Sequence, residues 1–182
     1  AVDKMLGLDQ IIKNYIMPGW HQTLTTSHLL VNKDVWDKLK PESRALIEMG
    51  CESATLKGFA ESRMSDFTRL VGLEFRHISR GECFLHLEIQ QQHFNSTGRV
   101  HGGVVFTLLD SAMGAAAFSV LEPHEVTATV ECKINYTRAV TGGALEGRGK
   151  VVHAGTRTVV VDGEVWQDDQ LVAKALGTFA RI

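Results

Sequence analysis

Cysteine, proline and aromatic residues are scarce in this 182-residue chain, which also has no excess of charge of one sign. The three cysteines are odd in number and widely spaced, which argues against a disulfide framework or a zinc knuckle. No apolar run approaches the ~18 residues of a membrane span, and a net charge of -2 argues against a nucleic-acid partner. Because residues 1–4 also lack a basic-then-apolar leader pattern, we expect a globular protein of the cytoplasm, with no membrane or nucleic-acid partner.

The composition is otherwise that of a globular protein, and the pattern divides the chain into two unequal parts. Apolar residues make up 44 % and charged residues 22 %, which excludes a disordered or fibrous chain. Residues 65–182 are predicted to form one domain. Residues 1–64 are predicted to form an N-terminal extension, irregular over residues 15–31 and helical after residue 34, which is too small to build its own core.

Alternation of apolar and polar residues, the period of a half-buried strand, predicts the strands of the larger part. It runs through residues 83–90 and then through residues 126–136. In the second stretch the residues expected to share one face are Val126, Ala128, Val130, Cys132, Ile134 and Tyr136. Turn residues near positions 142, 155 and 168 separate three further segments, so we expect a four-stranded antiparallel meander after residue 125.

Residues 103–121, between the early strands and this meander, are apolar on nearly every helical face. Such a pattern predicts a buried helix. The small residues at positions 114–117 would permit the close approach of a neighbouring backbone. One buried helix among five or six antiparallel strands predicts an α+β fold in which the sheet wraps around the helix.

The residues that lead into this helix are the first candidates for chemistry. His101, Gly102 and Gly103 stand at a loop-to-helix junction, where N–H groups lack helical acceptors and the helix dipole is positive. Such donors can bind a carbonyl oxygen that gains negative charge during acyl transfer. The structural alternative is that the two glycines only fit a tight turn. Asn95 can direct its amide at a carbonyl or a water, and His101 either supports the loop or transfers protons.

Asp110 is the second candidate, because it lies two turns into a helix that is otherwise apolar. Burial of an unpaired carboxylate costs several kcal/mol, so we interpret Asp110 as a general base or nucleophile facing a crevice. A solvated stripe or a bond to a backbone group is the alternative. No histidine has metal-ligand spacing, so no metal is expected, and Cys132 is interpreted as core packing.

Residues 65–182 resemble the hotdog-fold acyl-CoA thioesterases of the phenylacetate-pathway (PaaI) type. The resemblance rests on the motif Asn95-x5-His101-Gly102-Gly103-x6-Asp110, followed by Thr129-Val130-Glu131 and Tyr136-x-Arg138. It implies a sheet wrapped around a central helix and a homodimer that forms its active sites between subunits, within a homotetramer. It also implies hydrolysis of acyl-CoA thioesters, with coenzyme A as part of the substrate and no separate cofactor.

The resemblance also assigns roles by position. The Gly102 N–H corresponds to the donor that polarises the thioester carbonyl, with Asn95 and His101 beside it. Asp110 corresponds to a carboxylate from the other subunit that activates water or attacks directly, and Thr129 to a residue that holds the water. The residues expected to contact coenzyme A are Gly103, Arg138, Lys150 and Arg157. The alternatives are a hotdog acyl-thioester hydratase or dehydratase and a non-catalytic fusion remnant.

The extension resembles a different family. Its motif Tyr15-x-x-Pro18-Gly19-Trp20-His21 and the residues from Leu30 to Glu48 are similar to the C-terminal region of periplasmic solute receptors of TRAP transporters. The match covers residues 1–60, a fragment without the receptor's ligand cleft, so solute binding is not implied. Helices are expected over residues 34–39, capped by Asp34, and 41–60, packed on the outer surface. The acyl group is left open, with pocket depth assigned to residues 71–75 and to the partner subunit.

Overall fold

The computed structural model describes residues 29, 31–62, 64–122 and 124–182, and its centre is one helix held by one sheet. The helices are α1 (Lys33–Lys38), α2 (Pro41–Ser62), α3 (Asp66–Val71) and α4 (Gly102–Phe118), with a 3-10 turn at Gln91–His93. The strands are β1 (Leu73–Ser79), β2 (Glu82–Glu88), β3 (Thr127–Tyr136), β4 (Ala144–Ala154), β5 (Thr158–Gln167) and β6 (Gln170–Arg181). Helix α4 contacts all six strands, which confirms the predicted α+β fold with a sheet wrapped around a buried helix.

The order of the strands corrects the predicted meander. The sheet runs β1-β2-β4-β5-β6-β3, and every pair of neighbours is antiparallel. Strand β4 therefore pairs with β2, whereas β3 pairs with β6 at the opposite edge. Residues 137–143 carry the chain from that edge back to the middle of the sheet. This seven-residue connection is longer than the usual hairpin loop, and it is long enough to cross from the β3 edge to the middle of the sheet.

A β-bulge in β3 corrects the face predicted for that strand. The register with β6 shifts between Thr129 and Glu131, so Val130 is the extra residue. As a result, Thr129 hydrogen-bonds to α4 while Cys132, three residues later, packs against the core. Val130 is 60 % exposed. The predicted single face of residues 126–136 is therefore wrong, because strict alternation cannot continue through a bulge.

The helix and the sheet touch most closely at strand glycines, not at the small residues of the helix. A Cβ atom placed on Gly149 of β4 would lie 2.5 Å from the Ala112 carbonyl oxygen and 2.8 Å from the Met113 Cα atom. By contrast, a Cβ atom on Gly114 would meet only the Phe179 ring, at 3.5 Å. The tight backbone contact thus lies at Ala112 and Met113, just before the small run 114–117, where the facing strand residue lacks a side chain, and it is not found at Gly114.

Replacement of Gly149 by alanine is therefore expected to destabilise the fold strongly. The added methyl group meets backbone atoms that cannot rotate away, so we expect a loss of about 3 kcal/mol or more in the free energy of unfolding. Urea denaturation measures this loss. The matched control is Gly114→Ala, which adds the same methyl group to an open helical position and should stabilise the protein by up to about 1 kcal/mol. Equal effects of the two variants would contradict this account of the packing.

The extension contributes helices whose starts differ slightly from prediction. Helix α1 is capped by Asn32, whose side-chain oxygen accepts the N–H groups of Asp34 and Val35 at 2.9 and 3.3 Å, so Asp34 is not the cap. Helix α2 begins at Pro41 as predicted and packs against the edge strand β1. Helix α3, which the pattern did not predict, runs from a Ser65 cap to Gly72. The irregular stretch predicted at residues 15–31 lies almost wholly outside the described residues.

Within the described residues, none of the helices has the length and apolar character needed to cross a membrane.

Candidate active site

The loop before α4 is shaped by the side chain of Asn95. Its Oδ1 atom accepts the Thr97 N–H at 2.9 Å, the Thr97 hydroxyl at 2.7 Å and the Arg99 N–H at 3.2 Å. The Asn95 backbone N–H also donates to the Arg99 carbonyl at 2.8 Å. The oxygen of the Asn95 amide is therefore committed to the loop, and its NH2 group is the part left to meet a ligand.

The two glycines at the start of α4 differ in the hydrogen bonds that their N–H groups make. His101 is the N-cap residue, and its Nδ1 atom accepts the Gly103 N–H at 2.9 Å. The Gly102 N–H has no acceptor in the part of the chain that the structure describes. The Tyr136 hydroxyl donates to the Gly102 carbonyl at 3.1 Å and fixes this peptide from the other side. Gly102 thus presents the one unused first-turn donor of this pair, at the positive end of the helix dipole.

A cavity of about 330 Å³ opens beside Gly102. Asn95, Arg99, Tyr136 and Arg138 also line it. The sequence pattern did not single out Arg99, although it stands two residues before His101. It marked Tyr136 as a strand and motif residue without a site role, because a hydroxyl that reaches 34 residues back leaves no local signal.

The other cations predicted to contact coenzyme A lie elsewhere. Lys150 is on β4, and its Nζ atom pairs with Glu82 at 2.8 Å. Arg157 lies between β4 and β5, where its carbonyl accepts the Arg181 N–H. Neither side chain lines the cavity beside Gly102. In the chain described here, Arg138 is thus the predicted cation that the fold brings to the glycine end of α4.

Asp110 forms the second centre of the site together with Thr129. The Thr129 hydroxyl donates to Asp110 Oδ1 at 3.0 Å. Burial raises the pKa of Asp110 above its ordinary value, and the hydrogen bond from Thr129 opposes that rise. Asp110 is half-buried on α4. A carboxylate in such an environment is more basic than one in water, and therefore a better proton acceptor.

The thiol nearest to this carboxylate is held in its neutral form. Burial, and then the charges of Asp110 and Glu131, raise the pKa of Cys132 to about 11. Burial raises the pKa of Cys83 to about 12. Because the thiolate is the reactive form of cysteine, these values agree with core packing for Cys132. The described residues also contain no group of three or more His, Cys, Asp or Glu side chains placed to hold a metal ion.

The glycine centre and the carboxylate centre of one chain are too far apart to share a substrate carbonyl. Eight residues separate Gly102 from Asp110 on the same helix, which corresponds to about 12 Å along its axis and a rotation of about 80° around it. A donor to the oxyanion and a base for the attacking water must both lie within a few ångströms of one carbon atom. Gly102 and Asp110 of one chain therefore cannot both act on the same carbonyl.

A second cavity, of about 320 Å³, runs along α4 on the Asp110 side. Ser111 and Gly114 of α4 and Thr127 of β3 line one side of it. Leu73 and Phe75 line it as well. Both lie in the segment 71–75 to which the sequence assigned pocket depth.

Comparison with known proteins decides the family. A model described as "Thioesterase superfamily" matches residues 97–174, from the loop before α4 into β6. The Saccharolobus solfataricus protein described as "Putative esterase SSO1253" is 31 % identical over 118 residues, covering 64 % of this chain and 78 % of its own. The chain belongs to the thioesterase superfamily. Its fold is the hotdog fold, as the sequence predicted.

Other relatives of this thioesterase-superfamily protein are consistent with that assignment. The conserved protein PA5202 of Pseudomonas aeruginosa is 41 % identical, with a TM-score of 0.65, over 67 % of this chain and 98 % of its own. A point mutant of the phenylacetic acid degradation protein PaaI from Thermus thermophilus is 28 % identical, with a TM-score of 0.61, over 65 % and 100 %. The 1,4-dihydroxy-2-naphthoyl-CoA hydrolase of Listeria monocytogenes is 25 % identical over 97 residues, 53 % of this chain and 75 % of that protein. The predicted likeness to PaaI proteins is thus confirmed, whereas the receptor-like origin of residues 1–60 stays a prediction.

Proposed function

We propose that this protein hydrolyses acyl-CoA thioesters to a free acid and coenzyme A. The unused Gly102 N–H at the positive end of α4 is the observation that carries the proposal. When water adds to a thioester carbonyl, the oxygen becomes an anion, and a fixed donor about 2.7–3.1 Å away stabilises it. The similarity to the 1,4-dihydroxy-2-naphthoyl-CoA hydrolase of Listeria monocytogenes supports coenzyme A as the carrier.

Asp110 supplies the other half of the reaction. As a general base, it accepts a proton from water while the water oxygen bonds to the carbonyl carbon. The tetrahedral intermediate then collapses, the C–S bond breaks, and the thiolate of coenzyme A leaves and takes up the proton. As a nucleophile, Asp110 itself bonds to the carbon, and the C–S bond breaks to release the thiolate and leave a mixed anhydride. Water hydrolyses this anhydride in a second step, which returns the Asp110 carboxylate, releases the acid and supplies the proton that the thiolate takes up. Thr129, which donates to Asp110, holds the carboxylate in place in both routes.

A complete site requires two copies of the chain in this proposal. The Gly102 N–H of one copy and the Asp110 carboxylate of another meet at one thioester, because within a single helix they are about 12 Å apart. Strand β3 is an edge strand and carries exposed Val130. This edge suits pairing between two copies, and we propose a homodimer with shared active sites that associates further into a homotetramer.

Coenzyme A lies on the glycine side of the shared site in this proposal. Its phosphates require cations at the rim of a cleft. Arg138 and Arg99 line the cavity beside Gly102, so we assign them this contact. Lys150 and Arg157 do not line this cavity, and the Gly103 N–H is bound by His101, so we assign the phosphate contact to Arg138 and Arg99 in preference to these three. The proposed reaction uses no other cofactor. We also propose that it takes place in the cytoplasm, because the three cysteines are odd in number and widely spaced, which does not suit a disulfide framework.

The proposal is tested by release of the thiol from a panel of acyl-CoA thioesters, followed with a thiol-reactive dye. Steady turnover of at least one thioester is the expected result. A hydratase or dehydratase, the alternative within the same fold, would instead consume the absorbance of a 2-enoyl-CoA without releasing thiol. A folded, assembled protein that does neither reaction would favour the non-catalytic alternative.

The pH dependence of this hydrolysis should respond to Thr129. The active form of Asp110 is the carboxylate, so kcat/KM falls as the pH drops through its pKa, which burial has raised. Thr129→Val removes the hydrogen bond that lowers this pKa, so the fall should begin at a higher pH. Thr129→Ser keeps the hydroxyl and should retain the wild-type profile. If the pH profiles of Thr129→Val and the wild type were superimposable, the Thr129 hydroxyl would not influence the pKa of the group that controls hydrolysis.

A further inference from the structure

We propose that Tyr136 is the positioning residue of the Gly102 N–H group, and that the bulge at Val130 allows one strand to support both Gly102 and Asp110. The inference rests on the proposed function, because it takes the Gly102 N–H as the donor to the oxyanion. It adds a residue that controls the rate of the reaction without contacting the substrate. It also gives the irregularity of β3 a role in the site.

Gly102 is the residue of the candidate site whose backbone most needs support from elsewhere in the chain. It is the first residue of α4 after the His101 cap, and helix ends fray easily. Because glycine has no Cβ atom, its φ and ψ angles are only weakly confined. A donor to an oxyanion must nevertheless be held to within about 0.5 Å of its working position. Contacts from other residues therefore have to supply this restraint.

The peptide between Gly102 and Gly103 is held at both of its ends. The Tyr136 hydroxyl donates to its carbonyl oxygen at 3.1 Å, and His101 Nδ1 accepts its N–H at 2.9 Å. The His101 N–H in turn donates to the His93 carbonyl at 2.8 Å. A peptide group is planar, so bonds at both ends fix its orientation. The Gly102 N–H is joined to this fixed plane through a single Cα atom and is thereby directed as well.

The side chain of Tyr136 is attached to a rigid part of the sheet. Tyr136 is the last residue of β3 and pairs with Ala173 of β6. The next residue, Thr137, donates its N–H to the Val172 carbonyl at 2.9 Å and its hydroxyl to the Leu171 carbonyl at 2.7 Å. A tyrosine side chain turns about only two χ angles. Its hydroxyl therefore transmits the position of the sheet to the start of α4.

The bulge at Val130 determines which side chains of β3 face α4. Thr129, before the bulge, donates to Asp110 at 3.0 Å, and Tyr136, after it, donates to the Gly102 carbonyl. These two residues are seven positions apart, and an odd separation in a regular strand places side chains on opposite faces. The extra residue brings them to the same face. One strand thus gives a hydroxyl to each of the two centres on α4, which a strand without the bulge could not do.

Tyr136→Phe tests the hydroxyl alone, because it keeps the ring. We expect kcat for the best acyl-CoA substrate to fall about tenfold, less than the 10²–10³-fold cost of losing an oxyanion donor completely. KM should change by less than about twofold, and the melting temperature should stay within a few degrees. A raised KM with unchanged kcat would mean that Tyr136 binds substrate, and a lowered melting temperature with unchanged kcat would mean that it is only structural. Either result overturns the inference.

Thr178→Val is the matched control. The Thr178 hydroxyl also holds β3 by a side-chain hydrogen bond, which it donates to Glu131 at 2.7 Å, but it does not reach α4. Its loss should leave kcat within about twofold of the wild-type value. A tenfold loss in this variant too would show that any weakening of β3 slows the reaction.

The Gly102→Pro variant provides the sharpest comparison, because it lacks the N–H group that Tyr136 is proposed to position. If Tyr136 acts through that group, then adding Tyr136→Phe to Gly102→Pro should lower kcat by less than about twofold, since two residues that act as a unit are not additive. A further tenfold loss in the double variant would show that Tyr136 acts by another route, and would overturn the inference.

The Gly102 N–H can also be followed without a substrate. In protein labelled with 15N-glycine, its amide signal is the one that Gly102→Pro removes. Tyr136→Phe should shift this signal and Thr178→Val should not. Because the rings of phenylalanine and tyrosine are alike, the shift reports the lost hydrogen bond. An unshifted signal would contradict the positioning role.

These outcomes separate the inference from the proposed function. If the protein hydrolyses no thioester and the Gly102 signal still shifts in Tyr136→Phe, the proposed reaction is rejected and the positioning role of Tyr136 is retained. If thioesters are hydrolysed and Tyr136→Phe has the kcat of the wild type, the reaction is retained and the inference is rejected.

Discussion

Asp110→Asn should lower kcat for thioester hydrolysis by about 10³-fold while the protein keeps its fold. An asparagine side chain has the shape of aspartate but accepts no proton at neutral pH and is a poor nucleophile, so both proposed routes stop. Removal of a general base typically costs about 10²–10⁴-fold in rate. The thiol-release assay at saturating substrate measures the loss, and turnover within tenfold of wild type would remove Asp110 from the mechanism.

The same substitution, which should abolish most of the activity, should leave the stability of the protein unchanged or raise it. Because burial raises the folded-state pKa of Asp110, the protonated form is favoured in the native protein, and this contribution to stability is lost as the pH rises through that pKa. At neutral pH the ionised carboxylate therefore opposes folding. Asp110→Asn should have a melting temperature equal to or above that of the wild type at pH 7. A lowered melting temperature would indicate that the carboxylate has a structural role.

Gly102→Pro should lower kcat by about 10²–10³-fold, the usual cost of losing one oxyanion donor. Proline lacks the N–H group, yet it is favoured at the first position of a helix, which Gly102 occupies after the His101 cap. His101 has a ψ angle of 134°, the extended conformation that a residue before proline adopts. The substitution thus removes the donor and retains the start of α4, which circular dichroism can verify.

Gly102→Ala is the matched control for this variant. Alanine keeps the N–H group, and its Cβ atom would lie 3.5 Å from the Tyr136 ring, an ordinary van der Waals contact. We expect kcat of the alanine variant to lie within about fivefold of the wild-type value, whereas kcat of the proline variant, which lacks the donor, should fall about 10²–10³-fold. Equal losses in the two variants would show that bulk at position 102, and not the N–H group, is what matters.

The two inactive variants together test the shared site. In a mixed dimer of Asp110→Asn and Gly102→Pro chains, one site carries both defects and the other carries neither. Co-expression of two differently tagged chains should therefore restore up to half of the wild-type activity per dimer. Activity that stays at the level of the separate variants would mean that Gly102 and Asp110 of one chain act together.

The sequence predicted the elements of the fold better than their arrangement. The helix around Asp110 and five of the six strands follow from local periodicity, which reports which residues face apolar surroundings, whereas β1 was not placed by it. The position of β3 beside β6 and the bulge at Val130 depend on pairing between distant segments. Neither leaves a periodic signal, so both the meander and the single strand face were wrong.

In the candidate site, too, local features of the sequence could be recognised, whereas contacts between distant residues could not. His101, Gly102 and Asp110 could be selected because glycines at a helix start and a carboxylate in an apolar helix are locally unusual. The distinction between Gly102 and Gly103 required the His101 hydrogen bond. Tyr136 reaches Gly102 only through the folded sheet. In the proposed shared site, contacts between two copies would leave no periodic signal in the sequence either.

The packing of α2 against β1 has a consequence for how far association can proceed. A sheet with two open edges can add copies at both ends, which is the route to fibres. Here the β1 edge contacts a helix of the extension, whereas among the described residues no further strand pairs with β3 at the far side of the sheet. Two copies joined through β3 would present a covered edge at each end. In such a pair the helix of the extension would hinder further strand addition at β1, and any higher assembly would have to form through other surfaces.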